Sequence, residues 1–156
     1  MHMVTFPYFD PACRFIVGFQ GRSIEGKDFK NTHGGHKGRT LFGLHLSRMS
    51  HEVFVFESPI DSILARQDGI ATVATMGDGT SKAQVELLAR TFKYVTIVRD
   101  NDDAGDKSSV KTLEKLQKAG GYGTIVSPPS GYKDIGDMPK HERQTFIKGL
   151  ENVWEL

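Results

Sequence analysis

Acidic side chains recur in three places along this chain where they could act together. They are Glu57-x-x-x-Asp61, Asp100-x-Asp102-Asp103-Ala104-Gly105 and Lys133-Asp134-Ile135-Gly136-Asp137. Clustered carboxylates repel one another and resist burial, so such a group usually holds a hard divalent cation. Oxygen donors favour Mg²⁺ or Mn²⁺. The chemistry to expect is metal-assisted reaction at phosphate. Taken singly, each cluster has an ordinary reading. An acid pair opening a helix is worth about a few tenths of a kcal/mol as a dipole partner. An Asp-rich turn caps the helix that follows, and two loop acids need no explanation. What argues for one shared site is that all three follow strand-like runs.

Those runs must position the acids. Val53-Phe54-Val55-Phe56 is a continuous apolar run, expected of a strand covered on both faces. Pro59 suits the first turn of the next helix, where its missing N–H is harmless, and Ile60, Ile63 and Leu64 form that helix's apolar stripe. Residues 70–74 make a second strand, and Gly77-Asp78-Gly79-Thr80-Ser81 leads into a helix with Val85, Leu88 and Phe92 at helical spacing. Tyr94–Val98 is a third strand opening into the Asp-rich loop. Residues 104–119 form a helix with Val110, Leu113 and Leu116 inward and Lys111, Lys115 and Lys118 outward, stopped by Gly120-Gly121. Gly123–Val126 is a fourth strand. Residues 139–154 form a final helix with Phe146, Leu150 and Val153 on one face. Strands alternating with helices predict an α/β fold with a doubly wound, mostly parallel sheet. Acids just past parallel strands then converge at the carboxyl edge of that sheet.

The 156 residues, 38% hydrophobic, are enough for one ordinary core with a small appended unit. Expected boundaries are a small basic N-terminal subdomain at 1–48, a catalytic domain at 49–138 and a C-terminal helix at 139–156. The first unit combines extended runs such as Arg14–Gln20 with the Gly-rich loop His33-Gly34-Gly35-His36-Lys37-Gly38. It holds seven Lys/Arg against three acids, whereas the remainder holds 13 basic and 16 acidic residues. A basic lobe beside an acidic one suits a polyanion held next to cations. Met1-His2-Met3 resembles a cloning scar. Cys13, the single cysteine, excludes an internal disulfide and a Cys-based zinc site. No stretch approaches the roughly 20 apolar residues of a membrane span, so a cytoplasmic protein without membrane contact is expected.

The order of the acids resembles the Toprim domain shared by DnaG-type primases, topoisomerases and some nucleases. Phe56-Glu57-Ser58-Pro59-Ile60-Asp61 is similar to the family's first motif, Gly77 to the glycine after its second strand, and Asp100-Asn101-Asp102-Asp103-Ala104-Gly105 to the Asp-x-Asp-x-Ala-Gly form of primases. The lead-in narrows the likeness to the primase RNA-polymerase domain. It consists of Phe6-Pro7, Ile16-Val17-Gly18-Phe19-Gln20-Gly21-Arg22, Asn31, His36-Lys37-Gly38-Arg39 and Leu41-Phe42-Gly43-Leu44. The resemblance spans about residues 6–138. Departures include Glu57-Ser58-Pro59, worded as in phage and mobile-element primases, and the two-residue gap between Asp134 and Asp137. The family's zinc module and helicase-contacting region have no counterpart here.

The resemblance implies a primase core making short RNA on single-stranded DNA from NTPs, with a replicative helicase as a possible partner through other regions. It places Glu57, Asp100 and Asp102 as catalytic and metal-holding residues, joined at the metal by Asp134 and Asp137. Asp61 becomes a supporting acid behind them. Arg22, Lys30, Asn31, Lys37 and Arg39 become the nucleotide or nucleic-acid contacts. Metal ions about 3.5–4 Å apart would activate the 3′-hydroxyl and neutralise pyrophosphate. Two alternatives stay open at this point: a Toprim nuclease using the same acids, and a non-catalytic nucleotide- or DNA-binding module of a mobile element.

Overall fold

The computed structural model describes residues 2–26, 28–77, 79–151 and 153–154. Asp78 of the predicted Gly-Asp-Gly turn, Lys27 of the basic loop and Met1 lie outside the described residues. Among the described residues two sheets carry the fold. An antiparallel sheet joins β1 (Met3–Phe9), β2 (Ile16–Ser23) and β3 (Phe29–Asn31) in that order. Met3, read from sequence as part of an engineered start, pairs with Ser23 in this sheet.

The second sheet is all parallel. It contains β4 (Glu52–Phe56), β5 (Thr72–Ala74), β6 (Tyr94–Val98) and β7 (Tyr122–Val126), in the spatial order β5-β4-β6-β7. Helices α2 (Pro59–Gln67), α3 (Lys82–Thr91) and α4 (Asp103–Lys118) connect its strands. A four-residue helix α1 (Leu44–Ser47) precedes the sheet and α5 (Lys140–Leu150) follows it. The order reverses at β4: α2 carries the chain to one side, and α3 returns it past β4 to β6. Open α/β sheets place their ligands at such a switch point, outside the carboxyl ends of the strands.

The alternation within β4 shows why a doubly wound sheet is stable here. Val53 and Val55 join one core with Val85, Leu88 and Leu116, while Phe54 and Phe56 join the other with Ala65, Ile147 and Leu150. Fully burying each such side chain contributes about 1.5–3 kcal/mol. The helix starts follow local rules. Ser58 accepts from the Ile60 N–H ahead of Pro59, and Ser81 forms a reciprocal capping box with Gln84.

Three expectations about helix faces need correction. Val110, expected inward, is 51% exposed, and α4 instead buries Ser109, Thr112 and Leu116. Gly105, lacking a Cβ, lets the first turn of α4 sit against the Asp100 backbone, and the helix meets the sheet through this buried row. Ile60, Ile63 and Leu64 of α2 are only half-buried and line a groove with Val4 and Phe6, while Asp61, Ser62 and Ala65 turn inward. β1 supplies the apolar partner for that stripe, which local periodicity does not reveal. The last helix ends at Leu150, short of Trp154, whose indole stacks on Tyr94 and donates to Thr96 at 2.9 Å. No helix of the described residues is long and apolar enough to cross a membrane.

Candidate active site

Glu57, Asp100, Asp102 and Asp134 lie in loops or helix caps past parallel strands, Asp103 opens α4, Asp137 ends a 3-10 turn, and Asp61 lies in the first turn of α2. Glu57 follows β4, and its carbonyl accepts the Met76 N–H at 3.0 Å, joining it to the loop after β5. Asp100 follows β6. Asp102 is the N-cap of α4, accepting from the Gly105 N–H at 2.7 Å. A Cβ on Gly105 would collide with the Asp100 carbonyl, which gives the Ala-Gly ending of this motif a packing reason. Asp134 caps a 3-10 turn at Ile135–Asp137 and accepts from the Asp137 N–H at 3.0 Å.

The electrostatics show that these groups feel one another. Asp61 is buried and its carboxyl is pushed up to about 7, first by loss of solvent, then by the charges of Asp134 and Asp100. The Gly136 N–H and the Arg22 charge work against that rise. Asp100 is pushed up to about 6 by burial and by Asp134, with smaller contributions from Asp102 and Asp137 and a counteracting one from Lys133. Burial pulls the Lys133 ammonium down, but Asp100, Asp102 and Asp134 together lift it above its ordinary value. Lys133 lies 3.7 Å from Asp102 and supplies part of the positive charge this cluster needs.

The donor set fits a hard divalent cation: oxygen only, with more negative charge than neighbouring cations neutralise. Among the described residues no group of three such acids is assembled around one point. Mg²⁺ is commonly held by one or two carboxylates together with water and substrate phosphates. Metal dependence is general in the Toprim primase family.

The expected basic contacts separate. Cross-strand pairing of Gln20 with Asn31 and of Arg22 with Phe29 puts these four on one face of the antiparallel sheet. The Arg22 guanidinium lies 5.4 Å from the Phe29 ring centroid. Asn31, Lys37 and Glu57 line one cleft of about 230 Å³. The Lys37 ammonium donates to the Met76 carbonyl at 2.8 Å. Lys30 pairs with Gly21 and, by strand alternation, points from the opposite face. Arg39 is exposed in a 3-10 turn and lines neither this cleft nor the larger one of about 880 Å³ beside Glu57, Asp100 and Asp102.

Two further residues shape the site. The Asn101 side-chain amide donates to the carbonyls of Pro128 at 3.0 Å, Pro129 at 3.3 Å and Tyr132 at 2.8 Å. Its backbone N–H donates to the Lys133 carbonyl at 2.6 Å. Asn101 therefore clamps the 128–134 loop beside Asp100. A Cβ on Gly136 would sit 2.9 Å from Asp61 Oδ1 and 3.0 Å from Asp134 Oδ1, so any side chain there would wedge between two acids. Neither role carries a periodic or spacing signal, because the partners lie on other segments.

A parallel sheet with a switch point at β4, acids past β4 and β6, and a third acid pair after β7 match the Toprim-like domain family over residues 54–138. The chain belongs to the Toprim-like family. Around this Toprim domain the likeness extends further, to DnaG-type primases. The Thermotoga maritima DNA primase is 32% identical over 86% of this chain, and that of Clostridium acetobutylicum is 28% identical over 96%. The chain spans about a quarter of both proteins, 26% of each. A crystal structure of the Aquifex aeolicus primase, with zinc-binding and RNA polymerase domains, matches 96% of this chain and 40% of that one. Its TM-score is 0.78 at 28% identity. A DnaG primase catalytic domain bound to ssDNA matches 94% of this chain and 48% of that one. Its TM-score is 0.72 at 27% identity. The likeness thus includes the antiparallel sheet as well as the Toprim domain.

Proposed function

We propose that this chain is the catalytic core of a DNA primase, joining NTPs into short RNA on single-stranded DNA in the cytoplasm. The observation that carries the reading is the mutual field of Asp61, Asp100 and Asp134 at the switch point, in a chain similar nearly end to end to primase cores. Glu57, Asp100 and Asp102 would hold Mg²⁺ or Mn²⁺, with Asp134 completing the set, Asp137 at its margin and Asp61 behind it. Such a cation lowers the pKa of an attacking hydroxyl and stabilises the pyrophosphate leaving group.

The protein's own groups do the rest. Lys133 counteracts the upward shift of Asp100 and pairs with Asp102. Asn101 fixes the loop that carries Asp134. Lys37, held against the Met76 carbonyl beside Glu57, offers a point charge to phosphate. Asn31 lines the same cleft, and Arg22 stands on the same face of the antiparallel sheet, outside that lining. Lys30 and Arg39, farther from the acids, would meet template outside the reacting centre. A replicative helicase would be a partner of the longer protein.

Primer synthesis on single-stranded DNA with labelled NTPs and Mg²⁺ or Mn²⁺ tests this, comparing wild type with Asp100→Ala/Asp102→Ala. Oligoribonucleotides from the wild type, reduced at least about a hundredfold in the variant, are expected for loss of transition-state charge stabilisation. Template degradation in place of synthesis would move the protein to the nucleases.

A further inference from the structure

The acidic floor described above has a basic wall that the proposed chemistry leaves unassigned. Lys107, Lys111 and Lys115 of α4 line the 880 Å³ cleft together with Glu57, Asp100 and Asp102. They stand at i, i+4 and i+8, so they form one row on the helix. Lys111 and Lys115 are exposed, as helical spacing expects, and the exposed face they share with Lys107 borders the cleft.

Lys115 is partly engaged, donating to the Thr80 carbonyl at 2.9 Å. Among the described residues neither Lys107 nor Lys111 is paired with a carboxylate, and the nearby Asp106 is turned to Arg99. The row begins one turn past the Asp102 cap and runs away from the acids. At about 1.5 Å of rise per residue, neighbouring lysines are about 6 Å apart along the axis and the row is about 12 Å long. That geometry suits charges spaced along a chain better than one compact triphosphate at the metal. Five lysines border this cleft, with Lys37 and Lys133 nearer the acids.

We propose that the Lys107–Lys111 face of α4 grips the phosphodiester backbone of a nucleic-acid strand whose reacting end lies at Glu57, Asp100 and Asp102. The inference rests on the polymerase reading of that acidic site. The shared chemistry is the backbone phosphate, which both a DNA template and the nascent RNA possess.

The test measures binding of a labelled oligodeoxynucleotide and a matching oligoribonucleotide across a salt series by fluorescence anisotropy. Wild type is compared with Lys107→Gln/Lys111→Gln and with Lys107→Arg/Lys111→Arg. Each phosphate contact contributes about 0.7 to the log–log salt slope on single strands, so the Gln pair should make it shallower by about 1.4. The Arg pair should keep the wild-type slope, and ATP affinity, titrated separately, should change less than about twofold. A response confined to DNA assigns the row to template, and one confined to RNA assigns it to primer. An unchanged slope with both oligomers, no strand binding by wild type, or loss of ATP affinity alone overturns the proposal. A shallower slope without primer synthesis would reject the primase reading alone. Normal synthesis with an unchanged slope would reject the lysine assignment alone.

Discussion

Asp61 and Asp100 are acids whose folded environment favours the proton, which gives the metal-free protein a stability profile of definite sign. Asp61 moves from its ordinary 3.8 to about 7 and Asp100 to about 6, so over this window the folded state binds more protons than the unfolded one. Stability contributed by these groups is therefore full below about pH 4 and is lost as pH rises through the folded values. Urea unfolding in chelator, stepped from pH 5 to pH 8, should show that loss, and Asp61→Asn should flatten it and be the more stable protein at pH 8. A stability that climbs over the same steps for wild type and variant alike would contradict the crowding of these acids. The residue types and their order were legible in the sequence. Their strengths were not, because burial of Asp61 and the fields of Asp134 and Asp100 come from segments up to 73 residues apart.

Elements meet through single polar side chains, and Gln84 shows how. This residue of α3, only 2% exposed, donates to the carbonyls of Lys37 at 3.2 Å, Thr40 at 2.9 Å and Thr75 at 2.9 Å. It thereby fastens the basic segment that carries Lys37 to the loop after β5, with Ser81 bonded to the Gly38 carbonyl alongside. Gln84→Leu keeps a similar volume but removes the donor to the Thr40 and Thr75 carbonyls, at about 1–3 kcal/mol each. The Lys37 carbonyl keeps the Thr40 N–H. A loss of about 2–6 kcal/mol in denaturant unfolding is expected, with weaker strand binding because the segment carrying Lys37 is loosened. A loss under about 1 kcal/mol would mean that the carbonyls find other donors. Helix spacing identified Val85, Leu88 and Phe92 as core, yet Gln84, immediately before the first of them, is equally buried. Periodicity registers apolar faces and has no term for an amide whose acceptors lie on another segment.

For the whole molecule, the two sides of the parallel sheet are closed by different means. The α3–α4 side pairs an apolar core with neutral buried hydrogen bonds from Gln84 and Thr112, whereas α5 is tied to the end of α2 by a buried ion pair, Arg143 Nε to Asp68 Oδ2 at 2.6 Å. Removing one partner leaves an uncompensated buried charge, so Arg143→Met should cost about 3–5 kcal/mol in unfolding measurements. Arg143→Met/Asp68→Leu should recover most of that loss, and additive single losses would argue against the pair. The sequence by itself determined the alternation of β4 between two cores, the strand-helix rhythm and the order of three acidic clusters, because these depend on near neighbours and on residue type. Tertiary structure alone decided that Asn101 clamps the loop of Asp134, that only a residue without a Cβ fits at Gly136 beside the Asp61 and Asp134 carboxylates, and that Lys107 and Lys111 border the cleft. Those outcomes depend on contacts between distant segments, which exist only once both cores have packed.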